Sequence, residues 1–153
     1  MAKNGIVTYP ERESKIVEFK SKVPAFTTLI KTCVAFANTA GGNIIIGVED
    51  VSRRIIGISE NDRSRMYDDF PNSLYDSTSP GLFVHIYEKN MNDHTIMIIE
   101  VPYSPRRPVY VKNEGIPKGV YLRVGTSSRR AQPQHISLIT FLDVHPSHFD
   151  HIN

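Results

Sequence analysis

The chain has a single cysteine, Cys33, so no disulfide framework can form within it. No apolar run approaches the roughly 20 residues a membrane-spanning helix needs. The opening stretch, MAKNGIVTYPERESK, lacks the apolar core of a secretory signal. The expectation is a protein without a membrane segment in a reducing cytoplasm. Internal repeats and low-complexity tracts are absent. There is no G-x4-G-K-[ST] loop to hold phosphates and Mg²⁺, which argues against ATP hydrolysis. No Ser-His-Asp or Cys-His order stands out. Neither sign of charge dominates, with 18 Lys and Arg against 16 Asp and Glu. What remains is an ordinary composition: 153 residues, 40% hydrophobic, enough for one domain to bury a core without disulfide or metal staples.

The chain is organised around Glu13 to Asp50, which reads as strand, helix, glycine turn, strand. The first strand covers Ile16–Lys20. A helix over Pro24–Asn38 follows, with Leu29, Ile30, Cys33, Val34, Phe36 and Ala37 recurring at helical spacing. Cys33 falls on that apolar face and reads as a packed core thiol. Pro24 suits a first helical turn, and Gly41-Gly42 stops the helix. Asn43–Val48 is a nearly continuous apolar run, the pattern of a strand covered on both faces. GVEDVSRRIIGI then reads as a hairpin with Ile55–Ile58 returning and basic Arg53 and Arg54 at its tip, suited to a phosphate or simply to solvent.

A helical candidate spans Ser59–Tyr75, capped by Ser59 or Asn61 and broken or kinked at Pro71. Ser77–Gly81 reads as a loop. Leu82–Glu88 and Thr95–Pro102 form a β-hairpin about a polar turn. Val109–Lys112 and Gly119–Val124 are two further strands, and Gln134–Val144 is a last helix. The expected fold is α+β: a mixed, mostly antiparallel sheet of about six strands, one helix packed on a face and two further helices. Residues 1–12 read as an arm, 13–144 as one domain and 145–153 as a tail. His145, His148 and His151 in that tail have three-residue spacing, which reads better as a frayed end than as a metal site.

Charge is uneven along the chain. From Val101 to Ala131 stand Arg106, Arg107, Lys112, Lys118, Arg123, Arg129 and Arg130 against one acid, Glu114, a local excess of +6. Such clustering is the footprint of phosphate binding, or a solvated basic face. The period of two places Tyr121 and Arg123 on one side of their strand, as a stacking and charge pair suited to nucleic acid, or as a partly exposed sheet face.

Two blocks, EFK with AFANTAGGNIIIGVED and later RPVYVKNEGIPKGVYLRVGTSSRRA, resemble the Schlafen-type AlbA-like domain, found also in bacterial transcriptional regulators and RecG-helicase-related proteins. The resemblance covers roughly Glu13 to Ala131. Some Schlafen proteins cleave RNA with an acidic triad in an E-x4-E-F-K segment and at the acid ending the GVDD strand. Carried over, the resemblance implies Glu13, Glu18 and Asp50 as metal ligands and catalytic acids, with Glu49 replacing the penultimate Asp. Mg²⁺ or Mn²⁺ would be the cofactor of such a nuclease, and Lys20 would neutralise the same phosphate oxygens. Those relatives work with two lobes, which implies a possible homodimer here. The residues themselves set a condition. Five-residue spacing sends Glu13 and Glu18 to opposite strand faces unless the chain bends near Ser14–Lys15. Glu18 and Lys20 share a face and can equally pair with each other.

Three functions stay open at this point. The first is a nucleic-acid-binding domain, DNA or RNA, of a longer regulator or RecG-related protein, with Arg106, Arg107, Lys112, Tyr121, Arg123, Arg129 and Arg130 as its contacts. The second is a metal-dependent endoribonuclease using Glu13, Glu18, Lys20 and Asp50. The third is a dimerisation or scaffold domain.

Overall fold

A computed structural model of the chain describes residues 7–144. The elements run β1 Val17–Lys20, α1 Phe26–Thr39, β2 Gly42–Ile46, α2 Glu60–Asp68, α3 Phe70–Ser77, β3 Thr78–Ser79, β4 His85–Met91, β5 His94–Val101, β6 Tyr110–Val111, β7 Tyr121–Val124, β8 Ser127–Arg130 and α4 Pro133–Val144. The fold is α+β, as expected. The strands divide differently from one six-stranded sheet. They form a four-stranded sheet, ordered β1-β2-β5-β4, and two two-stranded ribbons, β3-β6 and β7-β8.

The opening unit explains the mixed sheet. β1 and β2 are parallel neighbours joined by α1, while β5 runs antiparallel to both β2 and β4. A parallel pair needs a long crossover, and the apolar stripe of α1 supplies one that packs back on the sheet. Leu29, Cys33, Val34, Phe36 and Ala37 are fully buried against Ile44, Ile46, Met97 and Ile99. The helix begins at Phe26 with Ala25 as an N-cap that makes no side-chain bond, two residues beyond Pro24. At its other end the amides of Ala40 and Gly41 both donate to the Phe36 carbonyl, at 3.2 and 2.7 Å. Gly41 then turns the chain at φ +70°, where a Cβ would sit 2.8 Å from the Val101 carbonyl oxygen.

The opposite sheet face is covered by chain segments instead of helices. Tyr9, Val48 and Ile55 pack on Val17, Phe19, Ile45, Ile96 and Ile98. Part of the expected arm is therefore tied down: Thr8 bridges Arg54, and Tyr9 meets Phe19 edge-on with ring centroids 5.5 Å apart. The expected return strand at Ile55–Ile58 reduces to single bridges, chiefly Val48 with Ile55.

Other elements shift for local reasons. The single helical candidate splits at Asp69 into α2 and α3, and Pro71 opens α3 instead of kinking a longer helix. Ser59 caps α2 by accepting from the Asp62 amide, 3.2 Å. β4 and β5 extend to a two-residue turn in which Asn92 and Asp93 both have positive φ, 51° and 63°. That is the tight hairpin geometry whose twist matches the flanking strands, and Asn and Asp tolerate it. The two late strands do not pair as neighbours: β6 takes β3 and β7 takes β8. The His145, His148 and His151 reading lies outside the described residues.

Candidate functional site

Glu18 is a carboxylate on β1, turned toward α1 and largely withdrawn from water. A buried carboxylate needs compensating charge and hydrogen bonds. Arg123 of β7 provides them. Its guanidinium, fully buried, pairs with Glu18 Oε1 at 2.5 Å. It also donates to the carbonyl of Ser14 (2.9 Å) and the hydroxyl of Ser128 (3.2 Å), and lies 4.5 Å over the Phe36 ring. Lys20 holds the other Glu18 oxygen at 3.2 Å.

The other two acids point elsewhere. Glu13 accepts the Phe19 amide at 2.9 Å, closing the outer edge of β1. Asp50 is exposed at a turn and accepts its neighbour's amide, Val51, at 2.9 Å. Among the described residues no group of three or more His, Cys, Asp or Glu is placed to hold a metal ion. Glu13, Glu18 and Asp50, as arranged, do not fit a shared divalent cation, and no step is built through one. Lys20 is committed to Glu18 and has no assembled site to serve.

The basic stretch sorts into two sets. Arg107 is buried in an ion pair with Asp143 of α4, with its guanidinium 4.6 Å over the Tyr103 ring. Arg123 is buried as described. Arg130 is exposed but held by Glu114 at 2.9 Å, the Tyr121 hydroxyl at 3.2 Å and the Lys118 carbonyl at 3.1 Å. The expectation that Arg107 and Arg123 contact phosphate is thus corrected: both guanidiniums are consumed in interior pairs. Arg106, Lys112, Lys118 and Arg129 are exposed, and no side-chain partner engages their charges among the described residues.

Tyr121 and Arg123 do share a face of β7, but it is the buried one, and apolar Val124 is exposed on the other side. The pull of Glu18 on Arg123 overrides the apolar alternation. Tyr121 donates its hydroxyl proton to Glu114 at 2.7 Å. That bond, with Arg130 and Lys31 nearby, holds the Glu114 carboxyl below its ordinary range, against the opposing effect of desolvation. Tyr121 itself is pushed up, by burial and then by Glu114. Burial likewise pushes the Cys33 thiol far up. The hairpin tip is occupied too: Arg54 pairs with Glu49 at 3.2 Å and Arg53 reaches the Pro10 carbonyl at 3.3 Å.

Sequence reasoning missed Asn38. Fully buried on α1, its carboxamide donates to the carbonyls of Val109 (2.8 Å) and Tyr121 (3.0 Å) and accepts the Val109 amide (2.7 Å). It ties the helix to the segments on either side of the basic loop. The signal was a polar residue inside the apolar AFANT run.

The family profile described as Schlafen, AlbA_2 matches residues 13–132. An uncharacterized ATP-binding protein of Ureaplasma parvum is 35% identical over 97 residues, 58% of this chain and 27% of that protein. A crystal structure of a Corynebacterium diphtheriae protein superposes with a TM-score of 0.62 at 23% identity, over 85% of this chain and 24% of the other. The solution structure of the N-terminal domain of a RecG-related protein from Nitrosomonas europaea has a TM-score of 0.53 at 22% identity, covering 83% and 88%. The chain spans only about a quarter of the first two relatives. At these identities the two structures show a shared fold.

Proposed function

The chain belongs to the Schlafen, AlbA_2 family, and from that premise we propose that it is a nucleic-acid-binding domain that engages the sugar–phosphate backbone electrostatically. One observation carries the reading. Within the basic stretch, the cations not consumed by the fold, Arg106, Lys112, Lys118 and Arg129, all face solvent without an acidic partner among the described residues. Exposed cations without acidic partners are free to neutralise phosphate. The name of the RecG-related neighbour, which refers to a DNA helicase, fits a DNA-associated role in a larger regulator or helicase-related protein. The contacts are to backbone, so affinity carries little sequence information.

The nuclease reading has no supporting observation of its own here, because Glu18 would first have to leave Arg123 and Lys20. The name of the Ureaplasma relative includes ATP binding, but this chain has no phosphate loop of the Walker type.

The test is a gel-shift and cleavage assay on labelled single-stranded DNA, structured RNA and duplex DNA, with Mn²⁺ or EDTA. The expected result is shifted, intact nucleic acid in both buffers. Reversing Arg106, Lys112, Lys118 and Arg129 to Glu together should abolish the shift, and Glu18→Gln should leave the affinity of the folded fraction unchanged. No shift at low salt would overturn the reading and leave a dimerisation or scaffold domain. Mn²⁺-dependent products lost in Glu18→Gln would replace it with the nuclease.

A further inference from the structure

An open cavity of about 590 Å³ lies at one end of the four-stranded sheet, where β2 begins, β5 ends and β4 begins. That volume is in the range of small-molecule sites, about 300–1,000 Å³. Register puts Asn43, Glu100 and His85 side by side across β2, β5 and β4, and all three line the cavity. The Asn43 Oδ1 is closed to solvent and has no hydrogen-bond partner, alone in this among the side-chain atoms of the described residues. The Glu100 carboxylate is exposed, and no ion pair holds it among the described residues. The exposed Glu100 carboxylate is thus the acceptor the floor offers, and it suits a ligand that brings N–H donors.

The walls are aromatic. Phe83, 74% exposed, stands between this cavity and a second hollow of about 370 Å³, where Tyr75 lies 5.3 Å from it. Tyr103 forms part of the other wall, under the guanidinium of Arg107. Arg106, three residues from Tyr103, is one of the unpaired cations. With Tyr75 against it from the second hollow, the exposed Phe83 offers its ring to a flat group entering the cavity.

Resting on the nucleic-acid reading above, we propose that this cavity takes one unpaired base of a single strand, stacked on Phe83, with its donor edge on Glu100. A free anion fits poorly, since Glu100 would repel it. A duplex fits poorly because each inserted base must first leave the stack. Guanine suits the floor best: its adjacent N1–H and N2–H groups match the two oxygens of a carboxylate. Uracil places carbonyls on both sides of its one N–H and suits it worst.

The experiment is fluorescence anisotropy on pentanucleotides whose central position is guanine, uracil or abasic, with a paired duplex and free GMP and ATP as further probes. Phe83→Ala and Glu100→Gln change exposed side chains and should keep the wild-type melting temperature. An abasic centre, or Phe83→Ala, is expected to weaken binding roughly 5- to 150-fold, the loss of one base–aromatic stack. Glu100→Gln should narrow the preference for guanine over uracil. Equal affinities for guanine-centred and abasic strands, with salt-dependent binding intact, would overturn the base site and leave the backbone reading standing. Binding of GMP or ATP without strand binding would overturn the strand as the source of the base. No binding of any probe at low salt would overturn both readings.

Discussion

Replacing one member of the Glu18–Arg123 pair should cost far more than replacing both. Arg123→Ala leaves Glu18, 9% exposed at its side chain, with Lys20 as its remaining cation at 3.2 Å. Lys20 is 31% exposed, so solvent screens much of its help. Breaking a buried pair on one side costs about 3–5 kcal/mol. Partial compensation by Lys20 puts Arg123→Ala near the lower figure for charge, and the lost packing over Phe36 restores some of the difference. Glu18→Ala leaves a cation in the same interior, still bonded to the Ser14 carbonyl, and should cost about 3 kcal/mol. Against a total stability of about 5–15 kcal/mol, either change is large. The apolar pair Glu18→Leu with Arg123→Met should recover most of the loss, because removing both charges removes the desolvation cost as well. The assay is urea unfolding of wild type, both singles and the double. At a slope of about 1.5–2 kcal/mol/M, a loss of 3 kcal/mol moves the midpoint by about 1.5–2 M. Single effects below about 1 kcal/mol that add without coupling would refute the reasoning. Glu18 would then be held by something other than Arg123 and be available for another task.

Three further outcomes are expected. Asn38→Ala removes three hydrogen bonds to Val109 and Tyr121 in the interior and should cost about 3 kcal/mol, read by thermal or urea unfolding. Cys33, fully buried with its thiol pushed up by burial, should react with a thiol reagent only as fast as the protein opens, so its labelling rate should rise steeply with urea. Glu114 is depressed in the folded state, first by the Tyr121 hydroxyl. The stability this contributes is present above the unfolded value, about 4.3, and is lost as pH falls through the lower folded value. Tyr121→Phe should flatten that acid-side decline in an unfolding series from pH 6 to pH 3.

What the sequence revealed, and what it hid, follows from how local each signal was. The opening unit was legible because its cues are local: an apolar stripe at 3.6 spacing in α1, glycines at its end, an apolar run for β2. The hairpin of β4 and β5 was legible for the same reason. The divided sheet was not: β3 and β6 are two-residue strands from distant parts of the chain, and β7 turns back through Gly125 and Thr126 into β8, whose SSRR carries no apolar alternation to mark a strand. Polar residues misled most. Asn38 looked like an ordinary helix residue, yet its partners are 71 and 83 positions away. Arg107 and Arg123 looked like surface cations. Their partners, Asp143 and Glu18, are 36 and 105 positions away, and no local pattern reveals such a pairing. Arg106, Lys112, Lys118 and Arg129 kept the character their composition implied, because no acid among the described residues pairs with their side chains.

The salt dependence of binding tests the central claim most directly. Anisotropy of a labelled single strand would be followed from 50 to 300 mM salt, for wild type and for each charge reversal. With four unpaired cations on phosphate, the account predicts a log–log slope of about −3 on single strands, shallower by about 0.7 for each cation reversed. A flat slope, or one unmoved by reversing Arg106, Lys112, Lys118 and Arg129, would contradict it.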